Sequence, residues 1–78
     1  SKSAALALVK GWQEGKKNQA EIQRLDRIVR KYENDSTFYR YTIQTTKDRL
    51  KKEATETRLD IAVTEIYNAK SQLMSMII

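Results

Sequence analysis

Apolar residues recur along this chain at helical spacing almost from end to end, and the phase of the recurrence changes. Ile22, Leu25, Val29 and Tyr32 follow one another at intervals of three, four and three residues, with Ile28 beside them, which makes one stripe on a helix. Tyr39, Ile43, Thr46, Leu50, Ala54, Thr57 and Ile61 fall within about 40° of a second line when each residue is rotated by ~100°. From Leu59 a third line takes over through Ala62, Ile66, Ala69, Leu73 and Met76, rotated by roughly 130° from the Leu50 line. A heptad seam drifts by only ~20° per heptad, so this is a break in phase. The N-terminal part behaves alike: Ala5, Leu8, Val9 and Trp12 sit far around the helix from Leu25, with Gly11 to Gly15 between the two phases.

Breakers are few. Proline is absent and glycine occurs only at Gly11 and Gly15, which is the composition of long helices. The clearest interruption is Asn34-Asp35-Ser36: Asn34 suits the left-handed end of one helix, and Asp35 or Ser36 can cap the next. The pattern therefore predicts a single all-α domain over 1–78, an antiparallel helical hairpin with a first arm over 2–33, a turn at 34–36 and a second arm over 37–77. The second arm has no glycine or proline and can run as one helix of about 60 Å. Asn18 with Glu21 gives an N-cap signature, and Lys10-Gly11 reads as a helix end, so the first arm either starts anew there or continues through the glycines. The alternative is a three- or four-helix bundle, with breaks near 11–15 and near Ala54 to Thr57. The cluster Phe38-Tyr39-Arg40-Tyr41 closes the hairpin end on Tyr32 and Val29, or else forms an exposed recognition tip.

In a hairpin folded about residues 34 and 35, Trp12 lies near Thr57 and Leu8 near Ile61, so both arms change face at the same level. The open end then turns an apolar face outward, carried by Leu8, Trp12, Leu59, Val63, Ile66, Leu73 and Ile77. That is more apolar surface than a monomer leaves in water. A core of this size rarely supplies more than ~3–5 kcal/mol. The expected partner is a second copy of the chain or another helical protein, joined through coiled-coil-like pairing of apolar faces.

Composition narrows the chemistry. With no cysteine and no histidine, disulfides, thiolate nucleophiles, imidazole bases and the common zinc sites are excluded. The ten carboxylates are interleaved with Lys and Arg at helical spacing, as solvated ion pairs are. There is no phosphate-cradling loop and no nucleophile motif. The expectation is a protein that is not an enzyme and needs neither cofactor nor metal. No stretch reaches the ~18 apolar residues of a membrane span. Compartment is left open by the sequence, with a lean to the cell interior. A formal charge of +5 opens one alternative function, a basic helical DNA- or RNA-binding protein: Arg40, Lys47, Lys51 and Arg58 recur at 7-4-7 spacing along one line of the second arm and could track a phosphate backbone. The other reading of those cations is as flanks of a helix seam, opposite Glu53, Glu56 and Asp60.

Overall fold

The computed structural model describes residues 2–76. Helix α1 spans Lys2–Thr45, 44 residues, and α2 spans Arg49–Ser75, 27 residues. They lie against each other as an antiparallel hairpin in a rod of 71 × 16 × 14 Å. The all-α hairpin expected from the sequence is the architecture.

Its turn lies elsewhere. Asn34, Asp35 and Ser36 are inside α1, which continues for nine further residues to Thr45, and the connection is Thr46-Lys47-Asp48. The reversal is made without glycine or left-handed backbone. α1 closes with the Thr46 amide donating to the Thr42 carbonyl at 2.9 Å. The Thr45 hydroxyl donates to the Tyr41 carbonyl at 2.8 Å, a local bond that competes with helix propagation. Asp48 then adopts an extended conformation, and its carboxylate accepts from the Leu50 and Lys51 amides at 3.0 and 3.2 Å. That is an N-cap satisfying two of the orphan donors of a new helix. The Asp48 amide donates to the Thr46 hydroxyl at 3.2 Å, which fixes the approach to the cap. Replacing Asp48 with Ala is expected to lower stability by about 1 kcal/mol. A urea titration should show an earlier midpoint with an unchanged slope.

The seam explains the phases. Leu25, Ile28, Tyr32, Asp35, Tyr39, Thr42 and Thr46 recur at alternating three and four, and Val29, Ser36 and Ile43 run beside them; all are buried or half-buried. On α2 the matching positions are Thr55, Leu59, Ala62, Ile66, Ala69, Leu73 and Met76. Hence the Leu59 line, expected to face outward, is the face α2 lays on α1. The Leu50 line is the exposed one: Leu50 and Ile61 are open to solvent, as are Ala54 and Thr57. No helix breaks at 54–57. The phase change read there records the reset of helical angle across residues 46–48.

The best-packed region is Leu25, Val29 and Ala69, with Ile28, Leu73 and Met76 against it. Leu25 is 1% exposed. Small side chains at Ser36, Ala62 and Ala69 let the backbones approach. Thr55 keeps its buried hydroxyl satisfied by donating to the Lys51 carbonyl at 2.7 Å, whereas the Ser36 hydroxyl has no partner among the described residues.

Because α1 is longer, it outruns α2. All residues from 2 to 20 are exposed, and partial burial begins at Glu21. α1 runs unbroken through Gly11 and Gly15, so no helix starts at Asn18. The difference in length, 44 residues against 27, leaves about 25 Å of unaccompanied helix.

Candidate functional site

The overhang runs from Lys2 to about Ala20, and every residue of it is exposed. Leu6, Leu8, Val9 and Trp12 stand in solvent on it, with Leu8 76% and Trp12 65% exposed. Trp12 does not approach Thr57, nor Leu8 Ile61: with the connection at 46–48, Thr57 and Ile61 lie in the first half of α2, near the connection, while Trp12 and Leu8 lie beyond the far end of α2. Lys16 places its ammonium 5.5 Å from the centre of the Trp12 ring, the one specific contact Trp12 makes among the described residues.

Gly11 and Gly15 lie on the heptad continuation of the seam beyond the end of α2, together with Ala4, Ala7 and Leu8. A Cβ added at either glycine meets nothing within 4 Å. Each costs about 1 kcal/mol of helix propensity relative to Ala, and nothing among the described residues makes use of the close approach they allow.

Charge is organised differently in the paired and unpaired parts of α1. Where α2 lies alongside, ion pairs close within the helix: Arg24 holds Glu21 through bonds of 2.9 and 2.6 Å, Arg30 meets Asp26 at 3.0 Å, and Lys31 meets Asp35 at 3.3 Å. The Arg24 hydrogen bond is the main cause of a Glu21 carboxyl held below its ordinary range. The Asp35 bond likewise lifts Lys31 above its ordinary value. In the overhang, Lys2, Lys10, Lys16 and Lys17 face a single carboxylate, Glu14, and make no ion pair among the described residues.

No family model, curated protein or solved structure matches the chain. What the surface can do therefore follows from its own chemistry.

The residues expected to bind a partner divide. Leu8 and Trp12 are exposed on the overhang, and Val63 is exposed on the flank of α2. Leu59 and Ile66 are half-buried in the seam, and Leu73 packs on the Leu25 cluster, so these three serve the hairpin itself. Ile77 lies outside the described residues. Sequence reasoning missed Leu6, exposed on another side of the overhang from Leu8, while Val9 stood with Leu8 and Trp12 on one stripe. The aromatic cluster also divides: Tyr39 turns into the seam, while Phe38 and Tyr41 are exposed rather than closing the end. Phe38 meets Tyr39 edge to face, with ring centres 6.2 Å apart.

The four cations considered for phosphate contact are all exposed, yet they are not on one helix. Arg40 belongs to α1, Lys47 to the connection, and Lys51 and Arg58 to α2. Their 7-4-7 spacing loses its meaning where the chain reverses. Two surface depressions, of about 280 Å³ beside Asp60, Ile61, Thr64 and Glu65 and about 350 Å³ beside Arg30, Glu33 and Asn34, are shallow and open. Among the described residues no helix is long and apolar enough to cross a membrane.

Proposed function

We propose that this chain is a non-enzymatic helical interaction module, an adaptor, scaffold or assembly subunit, that pairs its overhang with a second copy or with a partner helix. One observation carries the reading: α1 projects beyond α2 with Leu6, Leu8, Val9 and Trp12 uncovered. A lone helix of this length is marginal in water and owes its persistence to packing. The glycine side continues the groove that α2 occupies further along, so a second helix laid there would extend the existing seam in a coiled-coil-like manner. Nucleic-acid binding through Arg40, Lys47, Lys51 and Arg58 draws less support, since those residues come from separate elements.

Salt distinguishes the two kinds of partner. Two overhangs of this chain bring lysines against lysines, so self-association should strengthen as salt screens the repulsion, whereas pairing with an acidic helix should weaken. Sedimentation velocity over a wide concentration range is the test. Leu8→Glu should weaken association at least tenfold, the equivalent of losing about 1.4 kcal/mol of apolar burial. At a dilution where both are monomeric, variant and parent should have the same far-UV helicity, because Leu8 is exposed within the hairpin. A parent that remains monomeric at every concentration, with the emission of Trp12 that of an exposed indole, would exclude self-association and leave a different helix as the partner.

A further inference from the structure

The side of α1 turned away from α2 forms a continuous ridge. Stepping by three or four residues from Ala5 to Tyr41, every position along it is exposed. The line runs for roughly 50 Å. Its cations are Lys16, Arg27 and Arg30, and its amides are Gln19, Gln23 and Asn34. Its aromatic residues stand towards the two ends, Trp12 beside Val9 at one and Phe38 with Tyr41 at the other, all three rings mostly exposed. None of the five carboxylates of α1 occupies these positions, and the one directly beside them, Asp26, is bonded to Arg30 at 3.0 Å. Arg27 makes no ion pair among the described residues, and Arg30, though bonded to Asp26, keeps its side chain 78% exposed.

The opposite side of the rod has another character. The outward line of α2 runs through Leu50, Thr57, Ile61, Thr64 and Asn68, flanked by Glu53 and Asp60 and by Arg49 and Arg58, with Arg49 bonded to Glu53 at 3.3 Å. The ridge of α1 thus combines cations with aromatic ends, which the outward line of α2 does not.

We infer that the ridge of α1 lies flat on an anionic lipid surface. Three features select that ligand. Tryptophan and tyrosine at the water–lipid boundary, with cations between them, are the groups that hold a helix in the plane of a bilayer. The attraction of Lys and Arg to an anionic leaflet supplies the charge complementarity that an acid-free line requires. Shape agrees: a straight ridge with anchors roughly 40 Å apart touches a plane at both ends in any in-plane orientation, whereas a duplex meets both only when it lies parallel to the rod. The inference goes beyond helix pairing: the ridge runs almost the whole length of α1, and it shares only Val9 and Trp12 with the exposed apolar group of the overhang.

The test uses the intact chain, at a dilution where it is monomeric, with vesicles of phosphatidylcholine containing about 30% phosphatidylserine and with phosphatidylcholine alone. Trp12 is the only tryptophan, so its emission reports the ridge directly. Expected are co-flotation with the anionic vesicles, a blue shift of Trp12, and loss of both as salt rises from about 0.1 to about 0.5 M. The double variant Lys16→Gln, Arg27→Gln should bind about 25-fold more weakly, at about fivefold per cation. Both residues are exposed, and unchanged far-UV helicity checks that the fold is intact. Absence of binding, equal binding to neutral vesicles, an unaffected double variant, or release of the chain from vesicles by a short DNA duplex would each overturn the inference.

Discussion

Leu25→Ala is expected to cost about 3 kcal/mol and to leave the hairpin largely unfolded at room temperature. Leu25 is the large side chain at the centre of the cluster with Val29 and Ala69, and it is almost fully removed from water. Its truncation removes apolar burial and also opens a void that two helices joined by one short connection cannot easily close. Compensation elsewhere is scarce, because the rest of the seam is narrow: Ser36, Thr55, Ala62 and Ala69 are buried but small. Far-UV circular dichroism and a urea titration would measure the effect. A loss below about 1 kcal/mol, the level of an ordinary substitution, would mean that this cluster does not hold the helices together.

The second large effect is expected at Ile66, in contrast with its neighbour Ile61. Ile66→Glu places a carboxylate in the seam against α1 and forfeits part of an isoleucine's burial, for a loss of about 2 kcal/mol. Ile61→Glu should lie within about 0.5 kcal/mol of the parent, since Ile61 is 55% exposed and a surface substitution usually changes little. Urea midpoints of the pair decide which apolar line of α2 is the core. Equal effects, or a larger loss at Ile61, would contradict the packing described above.

That contrast also shows how far the sequence was legible. The regular stripe from Leu59 to Met76 is visible in the spacing alone, and so is its break from the Leu50 line. Periodicity gives each stripe but not which of two stripes a helix buries; that choice depends on where the partner helix begins. Asn34-Asp35-Ser36 has the residue types of a turn, yet Asp35 is tied to Lys31 along the helix and Ser36 is drawn into the seam. Thr46-Lys47-Asp48 contains no glycine or proline, and its cap became readable only through the bonds of Asp48 to Leu50 and Lys51. Once the turn moves by about a dozen residues, the site changes with it. Leu8 and Trp12 remain exposed, Leu59, Ile66 and Leu73 become internal, and a length mismatch between the helices replaces a mismatch of faces. The glycines at 11 and 15, which looked like punctuation, lie within an unbroken helix.

The position of the principal cluster has a consequence for how the chain folds. Leu25 and Ala69 are remote in sequence and sit at the end of the hairpin away from Thr46-Lys47-Asp48. The contacts that close soonest, near the cap, bring together threonines and half-buried side chains of modest apolar area. Those that contribute most require the longest excursion of chain to be ordered first, and loop-closure entropy opposes them. Zippering from the turn is therefore an uphill process until its last heptads engage. The molecule behaves as a clasp rather than a zipper, and partly closed forms stay sparsely populated.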